Sequence, residues 1–355
     1  MIIDLPNTTT HLISRRLREL REERGEIATG RVLTFIVVAT DEDDLPRIID
    51  ATHEASREHP ARVLVVVTHR TSNEVRLDAE VRLGGDAGAS EIIVMHLHGE
   101  LSAHRASVVT PLLLPDTPIV AWWPTNGPRN PSADPIGALA TRRITDSLYD
   151  ADTDALFRRR MTYTQGDSDL AWARITLWRG LLASALDQTP CENIESVEIT
   201  GPECDPSTDI AAGWLAERLQ VPVTRRSSET GSVPRDEQGN KTIPIVKAEL
   251  HRSNGDITVE VVDAETVQLT VDGKEALVTL GRRPLEDCLA EELRHLDPDY
   301  AFGHALRGLV RVNRPGRGGR WSQYRTGNGG DGNNGVDRWS SRYNVDEYNV
   351  QESMR

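Results

Sequence analysis

The stretch that decides the fold is RVLTFIVVA, residues 31–39. A continuous apolar run rich in β-branched residues, without polar alternation, is typical of a strand buried on both faces. A second such run, RVLVVVT at residues 62–68, follows a segment with helical character at 41–57. A strand, a helix and another buried strand in this order indicate a parallel or mixed sheet with helices on its faces.

The flanking segments extend this layer. Residues 8–23 predict a surface helix in which Ile13, Leu17 and Leu20 share one face. Beyond the two strands, we predict strands at 74–83, 91–97 and 117–123, a helix at 101–114, and a proline-rich loop near 124–135.

The second half of the chain changes character. The segment TQGDSD at 164–169 predicts the start of a long helix, capped by Asp167 or Ser168 and running to about Asp187. Alternating runs with an Asp272-Gly273 turn predict an antiparallel meander. The other predicted elements are strands at 196–200 and 221–224 and helices at 210–219, 284–295 and 300–310.

These elements predict an α/β chain in three parts. Residues 1–163 form an N-terminal mixed-sheet α/β domain, and residues 164–313 form an α+β domain with the antiparallel meander. Residues 314–355 are rich in glycine, asparagine and arginine without apolar periodicity. Such a tail buries too little surface to offset its ordering entropy, so we predict that it is disordered.

Composition narrows the classes of function. The 355 residues carry a formal net charge of -14, which repels phosphate backbones and anionic lipid. We therefore predict no nucleic-acid and no membrane partner. The N-terminus lacks the pattern of a signal peptide, and no apolar run approaches the roughly 20 residues that cross a bilayer. Three cysteines without metal-ligand spacing fit a reducing compartment, so the predicted location is cytoplasmic.

The sequence offers few groups for chemistry. It contains no Walker A loop, no GxGxxG after a strand and no GxSxG elbow. We predict no catalytic residue, no cofactor and no small-molecule substrate. Four acidic residues near the middle of the chain fit helix caps and turns better than acid/base catalysis. They are Asp146, Asp150, Asp167 and Asp169.

The histidines of the HLHGE segment are the one candidate for a metal site. His96 and His98 lie at i and i+2 of a predicted strand and face the same side, with His104 as a third ligand. A histidine pair at a strand end is common without metal, and Glu100 suits the first turn of a helix. We prefer the interpretation without metal and keep an enzyme using His96, His98 and Glu100 as the alternative.

The cysteines give no strong signal. Cys288 lies among acidic residues of a predicted helix, which raise a thiol pKa and disfavour a nucleophile. A regulatory disulfide between Cys191 and Cys204 stays possible in principle, but sequence separation does not establish the geometry. Ordinary structural or surface cysteines are the preferred interpretation.

Tryptophan and arginine are the usual anchors of protein interfaces, and this chain concentrates them in two places. At the end of the strand at 117–123, Trp122 and Trp123 point to opposite sides, so we expect one in the core and one at the surface. Arg174 and Trp178 are i, i+4 neighbours on the helix that follows residue 164. The predicted partner-binding residues are Trp122, Trp123, Arg142, Arg143, Arg174, Trp178 and Arg179.

Several uncommon segments resemble the OpcA family of actinobacterial type. They are DLPNTTT at 4–10, GRVLT at 30–34, PIVAWWP at 118–124, RITD at 143–146, TQGDSDLAWARITLWR at 164–179 and CLAEELRHLD at 288–297. The resemblance implies a non-catalytic partner that binds glucose-6-phosphate dehydrogenase and promotes its active oligomer. It carries over no catalytic or binding residue. The alternatives are an α/β enzyme acting on a sugar phosphate and a stand-alone sugar-phosphate sensor.

Overall fold

The computed structural model describes residues 2–24, 32–69, 71–72, 74–83, 91–187, 193–229 and 243–315. These residues form two mixed sheets with helices packed on them, which confirms the predicted fold class. The predicted disorder of the tail concerns residues that, from 316 onward, lie outside the described ranges. No helix within those ranges is long and apolar enough to cross a membrane.

The first sheet has eight strands in the order β1-β4-β5-β3-β2-β6-β7-β8. Six of them are parallel, while β4 runs antiparallel to its neighbours β5 and β1. Their bounds are β1 (Ile2–Leu5), β2 (Leu33–Thr40), β3 (Ala61–His69), β4 (Arg76–Leu83), β5 (Glu91–His98), β6 (Ile119–Trp123), β7 (Arg142–Thr145) and β8 (Asp167–Asp169).

The six parallel strands follow the doubly wound order 3-2-1-4-5-6 when they are numbered along the chain. This is the strand order of dinucleotide-binding sheets, in which the crevice at the switch point holds the ligand. The switch point here lies between β2 and β6, where the chain changes the direction in which it adds strands. Strand β2, which the apolar run of the sequence predicted, therefore lies at the centre of the sheet.

Apolar layers cover both faces of this sheet. Phe35 and Val37 of β2 pack into one core, while Ile36 and Val38 pack into the core on the other face. This is why the run at 33–39 shows no polar alternation. The helices of the first half are α1 (Thr10–Arg24), α2 (Leu45–Glu58), α3 (Arg105–Val109) and α4 (Ala155–Arg160).

Two predicted helices differ from the structure. The segment 101–114 forms only the short α3 between two 3-10 turns, at Gly99–His104 and Thr110–Leu112. The long helix predicted from residue 164 is wrong at its start, because Asp167–Asp169 pair with β7 as strand β8. The cap is Asp169, whose carboxylate accepts the backbone N–H of Ala171. Two helices follow, α5 (Leu170–Ala173) and α6 (Thr176–Leu186).

The second sheet has the order β14-β13-β12-β11-β9-β10-β15. Strands β11 to β14 pair antiparallel in succession, which confirms the meander. Asp272 and Gly273 both have positive φ, as a tight hairpin turn requires. The strands are β9 (Ser196–Gly201), β10 (Val223–Ser227), β11 (Lys247–His251), β12 (Ile257–Val261), β13 (Thr266–Val271), β14 (Lys274–Thr279) and β15 (Val312–Asn313).

Three further helices complete the fold: α7 (Pro206–Leu219), α8 (Leu285–Arg294) and α9 (Tyr300–Gly308). Helix α8 packs against α2, and its residues Leu289 and Leu293 lie in the core of the first sheet. Strand β8 and helix α8 thus complete a layer that the N-terminal residues begin. The division of the chain at residue 164 into two domains stays a prediction.

Candidate functional site

The carboxyl edge of the first sheet is the place where a doubly wound fold binds its ligand, and here the switch point is closed by the chain itself. Asp43 follows β2, and its carboxylate accepts the Thr40 backbone N–H at 2.7 Å. Its other oxygen accepts the Thr125 hydroxyl, just beyond β6, at 2.5 Å. This carboxylate therefore links the carboxyl ends of the two strands that flank the switch point.

The turn that leads into α2 also lacks the features that hold a pyrophosphate. Dinucleotide sites use a glycine-rich turn and a helix N-terminus with open N–H groups. Residues 41–44 here are Asp, Glu, Asp and Asp, and Asp44 caps the helix by accepting the Arg47 backbone N–H at 3.3 Å. Four carboxylates and an occupied cap disfavour phosphate at this position.

A histidine cluster occupies the carboxyl ends of β3 and β5. His69 Nε2 lies 2.9 Å from His96 Nδ1, and His69 Nδ1 lies 3.2 Å from an oxygen of Asp41. The His69 ring also stacks on His98 at a centroid distance of 4.4 Å, and His98 contacts Asp78 at 3.1 Å. Burial, together with the neighbouring His69 and His98, lowers the pKa of His96.

The cluster confirms that His96 and His98 lie on the same face of β5, because both contact His69. It does not bring His96, His98 and His104 together as the ligands of the alternative metal site. Within the described ranges, no three histidine, cysteine or acidic side chains are grouped as a metal site requires. Glu100 lies in the first turn of the 3-10 segment that follows β5, and His104 lies at its end. His69 completes the cluster instead, and sequence reasoning missed it because its strand partner β5 is distant along the chain.

A second group at this edge centres on Tyr149, just after β7. Its phenol oxygen lies 3.1 Å from an Arg47 nitrogen and 3.3 Å from an Arg282 nitrogen. The guanidinium carbon of Arg174 lies 5.7 Å from the centre of its ring. Burial opposes ionisation of the phenol, but the hydrogen bond and charge of Arg47, with the charges of the other two arginines, lower the pKa of Tyr149.

The predicted aromatic anchors lie inside the protein. The side chains of Trp122, Trp123 and Trp178 are 0%, 3% and 1% exposed. The expectation that one of the tryptophans at 122–123 faces the surface is wrong, because apolar layers cover both faces of the strand that carries them. The sequence alternation placed them on opposite faces correctly.

The predicted arginine anchors are engaged in buried contacts within the chain. Arg142 binds Glu292 of α8 through two nitrogens at 2.9 and 2.5 Å. Arg174 forms a two-pronged ion pair with Asp146 at 2.8 and 2.6 Å. The remaining two are Arg143, which binds Asp167 at 2.5 Å, and Arg179, whose guanidinium lies 3.6 Å from the ring centre of Trp172. A direct contact of these residues with a partner protein stays a prediction.

Of the four central aspartates, Asp169 caps a helix as predicted, whereas Asp146, Asp150 and Asp167 each form an ion pair with a buried arginine side chain. Asp169 accepts bonds from the Ser147 hydroxyl and the Thr145 hydroxyl, besides capping α5. Asp150 accepts the Gly127 backbone N–H at 2.9 Å and contacts Arg159 at 2.5 Å. Together with the arginine pairs, these carboxylates bind the ends of β7 and β8 to the proline-rich loop and to α8.

The cysteines match the preferred interpretation where the structure describes them. Cys288 is fully buried, and burial raises the pKa of its thiol to about 11. A thiol with this pKa is a poor nucleophile at neutral pH. Cys204 is exposed. Cys191 lies outside the described residues, so the regulatory disulfide stays a prediction.

The fold and the edge of its sheet thus define a doubly wound α/β protein whose strand ends at the switch point are linked by its own side chains. Two family models match the chain in succession. One, the glucose-6-phosphate dehydrogenase subunit N-terminal domain, matches residues 52–161, and the other, the C-terminal domain of the same subunit, matches residues 165–306. The chain belongs to the OpcA family.

Comparison with solved structures adds two distant likenesses. The 3-ketoreductase KijD10 from Actinomadura kijaniata is 11% identical with a TM-score of 0.41, over 79% of this chain and 98% of the reductase. A Gfo/Idh/MocA family oxidoreductase from Vibrio cholerae is 10% identical with a TM-score of 0.36, over 77% of this chain and 94% of its own. A search among curated proteins gave no significant match.

Proposed function

We propose that this chain is a non-catalytic subunit that binds glucose-6-phosphate dehydrogenase and stabilises its active oligomer. The observation that carries the proposal is the pair of family matches, whose description is a subunit of that dehydrogenase. The acidic turn at the switch point is compatible with a non-catalytic role, because the Asp43 carboxylate is bonded to Thr125 and Asp44 caps the helix that follows, and neither carboxylate favours a nucleotide phosphate there. A partner that binds the active state more tightly shifts the oligomer equilibrium by that difference in affinity.

The outer face of α6 is the surface that we propose for docking. This helix carries a single charged residue, Arg179, which stacks on Trp172. Its exposed side is uncharged: Leu177 is 53% exposed, and a Cβ added at Gly180 would meet no atom within 4 Å. On a chain of this net charge, an uncharged helix face with an exposed leucine is a suitable surface for burial against a protein partner. The sequence already pointed to this helix as a partner-binding element. The residues that we now propose for the contact lie on its exposed face, away from the buried Trp178.

Co-elution and kinetics with the dehydrogenase of the same organism test the function. We expect a joint complex in size-exclusion chromatography and a higher rate or a lower half-saturation for glucose 6-phosphate. The variant Leu177→Glu should weaken the association by about 2 kcal/mol, as truncation of an interface anchor does. Absence of both co-elution and kinetic change with the wild-type chain would refute the proposed function.

Leu277→Glu is the matched control for the docking surface. Leu277 is 70% exposed on the edge strand β14, so the same substitution is made on a different element. We expect this variant to bind like the wild type. Loss of binding in Leu277→Glu with binding retained in Leu177→Glu would move the docking surface to the second sheet.

A further inference from the structure

Arg179 lies at the border of the uncharged outer face of α6. A helix turns by about 100° per residue, which places Arg179 on one border of this face and Leu177 on the other. Three small, exposed residues lie between them: Gly180, Ala183 and Ser184. Because the side chains between the two borders are small, one segment of another protein can contact both the guanidinium and the leucine.

Contacts within the chain hold the Arg179 guanidinium in place. Its central carbon lies 3.6 Å from the centre of the Trp172 ring, and its Nη2 donates to the Thr176 hydroxyl at 2.9 Å. The Trp172 ring is itself fixed, because its Nε1 donates to an oxygen of Asp299 at 2.7 Å. Trp214 packs edge-on against this ring at a centroid distance of 6.4 Å. A guanidinium held in this way loses little conformational freedom when it binds a partner.

The guanidinium of Arg179 has no counter-ion among the residues that the structure describes. It forms no ion pair within those ranges although the residue is half-buried, and its Nε is buried without a hydrogen-bond partner there. By contrast, the five buried arginines of the same ranges each pair with a carboxylate. They are Arg62, Arg142, Arg143, Arg159 and Arg225.

Two carboxylates act on Arg179 without forming an ion pair with it. Asp299 accepts the indole N–H of Trp172, and Glu291 binds Arg283. Burial lowers the pKa of Arg179, and the charges of Asp299 and Glu291 do not compensate for it. A charge that is partly removed from water without a counter-ion destabilises the free protein. A carboxylate from outside the chain would relieve this cost.

We propose that Arg179 binds a carboxylate of the partner protein and is the charged anchor of the α6 surface, beside the apolar anchor Leu177. The proposal rests on the proposed function, in which the partner is glucose-6-phosphate dehydrogenase. The dehydrogenase then presents an aspartate or glutamate next to an apolar side chain. Its carboxylate accepts charge-assisted, bidentate hydrogen bonds from the guanidinium. Because α6 carries no acidic residue, no side chain of this helix repels the carboxylate.

Binding of the full chain to the dehydrogenase of the same organism, measured by isothermal titration calorimetry, tests the proposal. Arg179→Met removes the charge and keeps an unbranched apolar side chain beside Trp172. We expect this variant to weaken the complex roughly 10- to 100-fold, as the loss of hydrogen bonds to a charged group does. The difference from the wild type should shrink at high salt, because salt screens the ion pair. Arg294→Met removes an exposed guanidinium of α8 and, as the control, should bind like the wild type.

Thermal melts of the free chain separate binding from folding. Arg179→Met should melt at the wild-type temperature or above it, because the described residues give this charge no counter-ion. A markedly lower melting temperature would assign Arg179 to the fold and overturn the proposal.

The binding data distinguish this proposal from the proposed function. Wild-type binding that Arg179→Met leaves unchanged would overturn the role of Arg179 alone. Absence of any binding by the wild-type chain would overturn the proposed function as well. Self-association of the free wild-type chain that Arg179→Met abolishes would assign the surface to a second copy of this chain, which also contradicts the proposal.

Discussion

The buried ion pair between Arg142 on β7 and Glu292 on α8 connects a strand of the first sheet to the helix that covers it. Both side chains are almost completely buried, and Ser168 of β8 donates to the second oxygen of the same carboxylate at 2.8 Å. Burial raises the pKa of the Glu292 carboxyl, and the charge of Arg142 opposes this rise. The carboxylate therefore depends on its partner for stabilisation inside the protein.

Replacing Arg142 by alanine leaves Glu292 buried without its counter-ion. We expect the free energy of unfolding to fall by about 3–5 kcal/mol, measured by urea denaturation. Arg226→Ala is the control, because its pair with Glu198 is largely exposed and should cost no more than about 1 kcal/mol. Equal losses in the two variants would show that the buried pair does not hold α8 to the sheet.

The histidine cluster gives a prediction for pH. Burial and the neighbouring His69 and His98 lower the pKa of His96 in the folded chain below the ordinary histidine value of 6.5. The unfolded chain therefore binds more protons as the pH drops below 6.5, and the free energy of unfolding decreases in that direction. Asp78 and Glu80, which also face His96, act against the shift without reversing it.

Replacing His96 by a residue that does not titrate should make the free energy of unfolding less dependent on pH below 6.5. We expect His96→Gln to lose less stability than the wild type between pH 6.5 and about pH 5, measured by urea denaturation at each pH. His251→Gln, at an exposed position beside Asp256, serves as the control. A wild-type slope that His96→Gln leaves unchanged would assign the pH dependence to other groups.

At the scale of elements, α7 and α9 pack so closely that glycine is required where they cross. A Cβ added at Gly213 of α7 would lie 2.4 Å from the Ala305 carbonyl oxygen, and one at Gly308 would lie 1.9 Å from the Gly213 carbonyl oxygen. Helix α7 packs on strands β9, β10 and β15 of the second sheet, and α9 packs on α7. A side chain at the crossing would push the helices apart.

Two glycine-to-alanine variants separate this packing effect from helix propensity. Gly213→Ala should lower the free energy of unfolding by about 1–3 kcal/mol through overpacking. Gly180→Ala, on the open face of α6, should raise it by about 1 kcal/mol, because alanine is the better helix former there. Thermal and urea denaturation measure both, and a stabilising Gly213→Ala would contradict the close crossing.

At the scale of the whole molecule, the two halves of the sequence share one structural layer. The first sheet is begun by residues before 164 but gains its last strand from β8 and part of its cover from α5 and α8. The segment 164–179, which carries the longest family resemblance, therefore connects the layers. Its inward-facing residues Asp169, Trp172 and Arg174 make the contacts. It leaves the uncharged face of α6 outside, where we propose that the dehydrogenase docks.

The sequence by itself determined the elements whose pattern is local. Buried strands at β2, β3 and β5, the amphipathic α1 and the Asp272-Gly273 hairpin follow from apolar runs, helical spacing and turn chemistry within about fifteen residues. The predicted cap at Asp167 or Ser168 is wrong, because strand pairing with β7 overrides helix propensity at 167–169 and Asp169 caps the helix instead.

Only the tertiary structure decided which side chains meet. The doubly wound order, the closure of the switch point by Asp43 and Thr125, and the approach of Arg47 and Arg282 to Tyr149 join positions 82 to 133 residues apart in sequence. The burial of Trp123 and Arg142 depends likewise on layers supplied by distant segments. Such contacts arise from strand order and helix packing, which hydrophobic periodicity along a single chain does not encode.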